Sequence, residues 1–160
     1  MATSSIRTAR PDDAAELARL FTELGHAATE GEIRARWNAW EANGNVGLVV
    51  DGAGGGLIAA ATLHQTIVLH RPKPIGRISA LIVDSRHRGT GIGRALVNAA
   101  ERMLGRAGCG MVEVTSNMRR IDAHAFYQRL GYELTSARFM KTLISYDTIK
   151  GETVAKKSQT

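Results

Sequence analysis

Apolar positions along the chain follow helical spacing in four segments. A first helix is predicted to end near Gly25, and its apolar stripe consists of Leu17, Leu20, Phe21 and Leu24. The stripe of a second helix, which ends at residues 43–45, consists of Ile33, Trp37 and Trp40. The stripe of a third helix, which closes at residues 105–108, consists of Ile92, Leu96, Ala99 and Met103. A short fourth helix is expected over residues 123–130, where Gly131 ends it.

Shorter apolar runs between these segments predict strands. The predicted strands cover residues 5–10, 46–51, 57–68, 78–83, 111–115, 132–134 and 139–143. Two helix starts carry the spacing of a capping box, in which an acidic residue follows the cap by three positions: Asp13 with Glu16, and Thr29 with Glu32. The resulting order is β-α-α-β-β-β-α-β-α-β-β, which indicates one mixed α/β domain.

Three glycines at alternate positions stand between the strand ending at Val83 and the third helix. Gly89, Gly91 and Gly93 have no side chains, so backbone N–H groups can converge there on a ligand. The helix that follows adds unpaired N–H groups and a positive dipole end. This segment therefore predicts a site for a pyrophosphate or a similar anion. Arg94 after the last glycine excludes a Walker-type loop, and the G-x-G-x-G spacing differs from the dinucleotide fingerprint.

The pattern of residues 88–93, Arg-Gly-Thr-Gly-Ile-Gly, resembles the R/Q-x-x-G-x-G/A loop of the GNAT superfamily, the acyl-CoA-dependent N-acyltransferases. Upstream, Ile78, Leu81 and Val83 match the strand that precedes this loop, and the element order over residues 5–143 is that of the family. The resemblance implies an α/β (α+β) GNAT fold. Its sheet is mixed, mostly antiparallel, of about seven strands flanked by about four helices, and splayed at the strand before the pyrophosphate loop.

The resemblance also implies acetyl-CoA as co-substrate, no metal, and roles for particular residues. The residues expected to bind the cofactor are Leu81, Ile82, Val83, Arg88, Gly89, Thr90, Gly91, Ile92, Gly93, Arg94, Asn117 and Tyr127. Two of them are expected to be catalytic: the Val83 N–H as an oxyanion donor, and the Tyr127 hydroxyl as the acid that protonates the departing thiolate. Packing in the core is the alternative interpretation for both side chains.

The sequence departs from the family at two places. The interval from Asn117 to Tyr127 is longer than in the most familiar members, so Arg119 and Arg120 lie in an extended loop, where they either reach a cofactor phosphate or are solvated. Many relatives carry a glutamate four residues before the Val83 position as general base, and Ser79 stands there instead. The remaining candidates for the base are His64, His70, Glu30, Glu32 and a water chain.

Length and composition indicate one globular domain, expected over residues 1–149, with a polar and disordered tail at residues 150–160. The single cysteine, Cys109, excludes an internal disulfide and favours a reducing compartment, so a cytoplasmic location is expected. Its setting between glycines favours a passive small residue over an acyl carrier. The sequence has no apolar run long enough to span a membrane, no basic-then-apolar leader and no metal-ligand spacing among its histidines.

A net charge of +6 and a pI near 10 favour anionic partners such as coenzyme A. The sequence therefore predicts transfer of an acetyl group from acetyl-CoA to a primary amine of a small molecule or peptide, by direct attack in a ternary complex. The alternatives are a non-catalytic acyl-CoA sensor and, less favoured for lack of a recognisable motif, a nucleic-acid-binding protein. Trp37 and Trp40 are expected to pack in the core, with contact to the acceptor as the alternative. Which amine is accepted stays open, and a homodimer is possible because family members often associate through their last strands.

Overall fold

Helices cover both faces of one five-stranded sheet in the computed structural model, which describes residues 5–143. The strands are β1 (Ile6–Thr8), β2 (Val46–Asp51), β3 (Leu57–Thr66), β4 (Ile75–Val83) and β5 (Met111–Val114). The helices are α1 (Ala14–Leu24), α2 (Glu30–Ala42), α3 (Ile92–Arg106) and α4 (Ile121–Arg129), with 3₁₀ turns at Pro11–Asp13 and Ser85–His87. The strands lie in chain order; β1 to β4 are antiparallel, and β4 pairs in parallel with β5.

Two apolar clusters lie on opposite faces of this sheet. On one face α1 and α2 pack over the strands, and their cluster includes Leu20, Trp37, Val49, Ala60 and Ile82. On the other face α3 packs through residues that include Leu96, Val97, Ala100 and Leu104 against Leu63 and Ile78 of the sheet. Trp37 is 5% exposed within the first cluster, and Trp40 stacks beside it with ring centroids 5.3 Å apart, which confirms core packing for this pair. No helix within residues 5–143 is both long and apolar enough to cross a bilayer.

One of the two predicted capping boxes forms. The Thr29 hydroxyl accepts from the Glu32 N–H at 3.2 Å, while the Glu32 carboxylate accepts from the Thr29 N–H at 2.8 Å. The predicted Asp13–Glu16 box is wrong, because both carboxylates have other partners. Asp13 binds Arg7 and the Arg10 N–H, and Glu16 accepts from the N–H of Leu57 on β3.

The predicted strands at residues 132–134 and 139–143 are wrong for the described part of the chain, so five strands replace the expected seven. Residues 132–143 have no regular secondary structure. Their large apolar side chains are exposed: Leu134, Phe139, Met140 and Leu143 are between 68% and 94% accessible. A strand at a sheet edge is stabilised mainly by side chains packed against a neighbour, and here these side chains lack that packing. The predicted tail at residues 150–160 lies outside the described residues.

A β-bulge interrupts the pairing of β3 with β4. Thr62 lies opposite Ala80 and Leu63 opposite Ile78, which leaves Ser79 as the extra residue. The Ser79 hydroxyl lies 2.9 Å from the Thr62 hydroxyl and also donates to the Thr62 carbonyl. Because of the extra residue, Ile78 faces α3 while Ile82 faces α1 and α2, although simple alternation would place them on one face.

The strand β4 is bonded on both sides over only part of its length. Its parallel ladder with β5 covers Ile75–Ile78, whereas its ladder with β3 continues to Val83. Residues 79–83 therefore have a neighbouring strand on one side only. This is the splay that the resemblance implies, and it begins at the bulge.

Candidate functional site

Two backbone N–H groups of β4 point into the splay. The Asp84 N–H donates to the Ile58 carbonyl at 2.9 Å, so in this part of the ladder every second residue counted back from Asp84 bonds to β3 through its N–H. Leu81 and Val83 alternate with these residues, so their N–H groups face away from β3, toward the side on which β4 is no longer paired with β5. Ile82 differs from them, because its N–H faces β3 and its side chain is buried under α1 and α2. Of the three residues expected to line the cofactor arm, two therefore present free N–H groups.

The glycine loop presents further N–H groups at the start of α3. Gly89 and Gly91 have φ angles of 76° and 87°, in the left-handed region that glycine adopts without strain. Their missing side chains leave open space, since an added Cβ would meet no atom within 4 Å. The N–H groups of residues 89–94 donate to no acceptor within residues 5–143. Together they form a cluster of unpaired donors at a helix N-terminus, where an anion is favoured.

The third glycine has a different function in this loop. A Cβ on Gly93 would lie 3.4 Å from Phe126 Cζ and 3.5 Å from Val83 Cγ2. Gly93 therefore lets α4 and the end of β4 approach the first turn of α3 closely. The loop thus uses two glycines for backbone conformation and one for packing.

Arg88 is anchored to the protein by its side chain. Its Nε donates to the Val83 carbonyl at 3.0 Å, and its Nη2 donates to Glu23 Oε1 on α1 at 3.1 Å. The same Glu23 oxygen accepts from the Ser85 N–H at 2.7 Å. In this structure the guanidinium therefore ties the loop to β4 and α1, and sequence reasoning missed Glu23 because no local spacing connects it to the loop.

Asp84 is a buried carboxylate at the turn between β4 and the loop, 1% exposed. It accepts from the side chain and N–H of Arg86 and from Arg19 Nη1 on α1 at 3.0 Å. These bonds, those from Arg86 foremost, hold the pKa of Asp84 well below its usual range. The carboxylate therefore stays ionised and joins the turn to α1.

Tyr127 lies on α4 between two aromatic rings. Its ring centroid is 5.2 Å from that of Phe126 and 5.7 Å from that of Tyr132, in edge-to-face geometry. The Tyr132 hydroxyl donates to Glu101 at 2.8 Å, whereas the Tyr127 hydroxyl bonds to no residue within 5–143. Burial raises the pKa of Tyr127, and the nearby charge of Arg120 opposes that shift. The phenol is therefore protonated at neutral pH and has a proton to donate.

Asn117 lies in the turn that leads into α4. Its Oδ1 accepts from the Arg119 N–H at 2.9 Å, and its carbonyl accepts from the Arg120 N–H at 2.9 Å. The carbonyl is also 3.0 Å from His124 Nε2. Asn117 thus orders the extended loop through its own acceptors, while both arginine side chains are exposed.

A strip of polar residues crosses the sheet beside the splay, on the face that carries α1 and α2. Alternation places Thr62 and His64 of β3 on this face with Ala60, and Arg77 of β4 and Glu113 of β5 opposite the α3 side. His64, Arg77 and Glu113 lie side by side in register. Arg77 donates to Glu113, and this ion pair was also missed, since the two residues belong to strands far apart in sequence. We call His64, Arg77 and Glu113 the polar triplet.

The candidates for the general base lie in different surroundings in the structure. His70 is exposed in a turn, because β3 ends at Thr66 and does not continue to Val68 as predicted. Glu30 is exposed and binds Arg34 at 2.8 Å, and Glu32 is engaged in its capping box. His64 is half-buried in the polar triplet, in register with Arg77 and Glu113, one rung before the pairing of β4 with β5 ends.

An open cavity of about 220 Å³ adjoins the glycine loop on its other side, toward β1 and β2. Its lining residues are Ile6, Val50, Thr90, Gly91, Ile92 and Ala95. Within residues 5–143, no group of three or more histidine, cysteine or acidic side chains is arranged to hold a metal ion.

Comparison with known proteins relates this geometry to one family. The model of the acetyltransferase (GNAT) family matches residues 13–132. An aminoalkylphosphonate N-acetyltransferase of Salmonella typhimurium is 38% identical over 89 residues, which are 56% of this chain and a little over half, 58%, of that relative. An aminoglycoside N(6′)-acetyltransferase of Stenotrophomonas maltophilia is 29% identical over 133 residues, 82% of this chain and 87% of the relative.

Solved structures share the fold at low sequence identity. An acetyltransferase from Trypanosoma brucei superimposes with a TM-score of 0.78 at 22% identity, over 88% of this chain and 100% of that one. A glucosamine-6-phosphate N-acetyltransferase from Arabidopsis thaliana gives 0.77 at 22% identity, over 89% and 99%. A putative acetyltransferase from Agrobacterium tumefaciens gives 0.77 at 28% identity, over 87% and 99%.

Proposed function

The chain belongs to the acetyltransferase (GNAT) family, and from this premise we propose that it transfers the acetyl group of acetyl-CoA to a primary amine of a small molecule or peptide. The amine attacks the thioester directly, while donor and acceptor are bound together. Residues 1–149 form the catalytic domain, and the enzyme works in the cytoplasm.

The observation that carries this proposal is the set of unpaired N–H groups along one continuous path. It runs from Leu81 and Val83 at the open edge of β4 to residues 89–94 at the start of α3. An extended arm with two amides can bond to a strand edge as an added strand does. A diphosphate fits the donors at the helix N-terminus. Acetyl-CoA combines these two features in one molecule and supplies an activated thioester.

Different residues of the chain then bind the cofactor, position the loop and donate a proton. Leu81 and Val83 hold the arm through their N–H groups, and such a donor also stabilises the oxyanion that forms at the thioester carbonyl. Residues 89–94 hold the diphosphate, and Arg88 keeps the loop in position through Val83 and Glu23. Tyr127, protonated and without a bond to another described residue, supplies the proton for the departing thiolate.

The two enzyme relatives suggest where to look for the acceptor. By their names, they acetylate an aminoalkylphosphonate and the 6′-amine of an aminoglycoside. Both are small molecules with a primary amine, so these two classes are the first acceptors to try.

The test combines binding with turnover. Calorimetry with acetyl-CoA is expected to show one site per chain, and release of free thiol is expected when aminomethylphosphonate, an aminoglycoside or other primary amines are added. Binding without thiol release for any amine would favour the acyl-CoA sensor. Failure to bind acetyl-CoA would overturn the proposal, and salt-dependent binding of DNA in its place would favour the nucleic-acid alternative.

A further inference from the structure

The polar triplet lies where an acceptor amine would meet the open edge of β4. We propose that His64 is the general base of the reaction and that the Leu81 N–H, rather than the Val83 N–H expected from the sequence, stabilises the oxyanion. This inference rests on the acetyl transfer proposed above.

The position of His64 favours this role. On the α1 and α2 side of the sheet, Ile82 and Ala60 are covered by helices, and the surface beyond them is polar, with Thr62, Ser79 and His64. His64 lies opposite Arg77, whose pairing with Glu113 is one rung before the end of the β4–β5 ladder, and the splay opens beyond Ile78. An amine that reaches the splay from this face therefore passes the histidine.

The distance of His64 along β3 distinguishes the Leu81 N–H from the Val83 N–H. His64 is three residues from Ala61, the partner of Leu81, and five from Ala59, the partner of Val83. At roughly 3.4 Å per residue these separations are about 10 Å and about 17 Å. The width of β4 adds to both separations, because these N–H groups face away from β3, and only the shorter one comes within reach of an imidazole, a bridging water and the amine. A His64 base therefore requires the acetyl carbonyl at the Leu81 N–H.

The chemical state of the His64 ring also suits a base. Neither nitrogen of His64 bonds to another residue within 5–143, so one is free to accept a proton. Burial and the charge of Arg77 lower the pKa of His64, and Glu113 opposes them. Arg77 and Glu113 are the charged groups that act on the ring within the described residues. The imidazole is therefore neutral at pH 7, as a base must be.

The lone pair of the neutral amine forms the N–C bond at the thioester carbonyl carbon, and one amine proton passes to His64, directly or through one water. The carbonyl is restored as the C–S bond breaks, and the thiolate takes the Tyr127 proton. Return of the His64 proton through solvent to the tyrosinate restores both groups.

The experiment compares His64→Gln with His70→Gln, the same change at an exposed turn position. The probes are acetyl-CoA and the first amine that the screen identifies, and kcat is measured from pH 5 to 9. Because the pKa of His64 is lowered from the ordinary histidine value, wild type is expected to lose kcat only as the pH falls below that ordinary value, where His64 becomes protonated. In His64→Gln that acid limb is lost and kcat at pH 7.5 falls by about 100-fold, within the range of general-base effects. Unchanged affinity for acetyl-CoA and an unchanged melting temperature would show that the variant is folded.

Two further variants test whether the limb belongs to His64. Arg77→Gln removes a charge that lowers the His64 pKa and leaves Glu113 unpaired, so the limb is expected to move to higher pH. Glu113→Gln removes a charge that raises the His64 pKa, so the limb is expected to move to lower pH. A purely structural role of the triplet would lower stability without opposite shifts of this limb.

The outcomes separate this inference from the proposed function. If wild type and His64→Gln acetylate the amine equally, with the same acid limb, the base assignment is overturned and the acetyltransferase stands. The same holds if the limb survives in His64→Gln but is lost in His70→Gln. If wild type binds no acetyl-CoA, the proposed function fails first and the base assignment with it.

Discussion

Glu23 is the single carboxylate through which α1 holds the glycine loop. One of its oxygens accepts from both the Ser85 N–H and the Arg88 guanidinium. Arg88 in turn donates to the Val83 carbonyl, next to the N–H expected to bind the cofactor arm. A change at Glu23 therefore alters the loop without removing any of the N–H groups proposed to bind acetyl-CoA.

Glu23→Gln is expected to weaken acetyl-CoA binding by about two- to fivefold and to leave kcat nearly unchanged. The amide keeps an acceptor for Ser85 but loses the charge facing Arg88, and partly exposed ion pairs contribute about 0.2–1 kcal/mol. Calorimetry measures the affinity. Glu30→Gln removes a comparable pair, Glu30–Arg34 at 2.8 Å on α2, and is the control with unchanged affinity. Equal affinities for both variants would refute a positioning role for Glu23.

Tyr127→Phe is expected to lower kcat by about 10- to 100-fold while acetyl-CoA affinity stays within twofold. The phenyl ring keeps its packing against Phe126 and Tyr132, and only the proton donor is lost. Steady-state thiol release with an accepted amine measures the effect. Tyr132→Phe is the matched control, since its hydroxyl binds Glu101 and faces no proposed reaction step. Undiminished turnover in Tyr127→Phe would remove the phenol from the mechanism.

At the scale of elements, the spacing of apolar residues predicted the helices and β1 to β5 to within a few residues. Periodicity reports local burial, and most of these elements have a buried face, while α4 and β5 are only partly covered. It also predicted strands at residues 132–134 and 139–143, where apolar side chains are present but unpacked. Pattern alone does not show whether a neighbour is there to cover them.

The site was predictable to the extent that it is local in sequence. The unpaired donors of the glycine loop follow from Gly89, Gly91 and the start of α3. The bonds of Glu23, Arg19 and Glu113 join segments distant in sequence, so no spacing reveals them. The bulge at Ser79 adds a further difficulty, because it depends on the pairing of two strands.

Two glycine substitutions are expected to have opposite effects on stability. A Cβ on Gly47 of β2 would lie 2.7 Å from Ala9 Cβ, which cannot move aside, so Gly47→Ala is expected to destabilise by about 1–3 kcal/mol. A Cβ on Gly31 of α2 would meet nothing within 4 Å, so Gly31→Ala is expected to stabilise by about 0.5–1 kcal/mol through its helix propensity. Urea denaturation of both variants measures this. A loss of stability in both, or in neither, would contradict the packing described for β2.

At the scale of the whole molecule, paired carboxylates join the elements. Arg7 of β1 bonds to Asp13 before α1 and to Asp51 of β2. Arg19 of α1 bonds to Glu16 and Asp84. Hydrogen bonds from Arg7, Arg19 and Arg86 lower the pKa of Asp13, Glu16 and Asp84, respectively. The folded state therefore releases these protons more readily than the unfolded chain does.

The stability that these three carboxylates contribute is consequently expected to be constant near neutral pH and to be lost as the pH drops below about 4.5, the ordinary range of these carboxyl groups. In that window the unfolded chain binds protons that the folded state does not, which favours unfolding. Asp13→Asn is expected to cost about 1–3 kcal/mol at pH 7 and progressively less toward pH 2.5. Urea midpoints at a series of pH values measure both, with the exposed Asp12→Asn as control. A midpoint that is flat down to pH 2.5 would contradict this account.

The extra residue at Ser79 has a consequence for comparing this chain with its relatives. The bulge lets β4 gain or lose one residue between Arg77 and Leu81 while the pairing on either side stays intact. When residues are counted backward from the glycine loop, those of β4 at or before the bulge are matched to residues on the opposite face of a strand that has no bulge. Matching Ser79 to a glutamate on such a regular strand is an example. Against a relative in which this strand is regular, an alignment therefore needs a gap at the bulge, placed between Arg77 and Leu81.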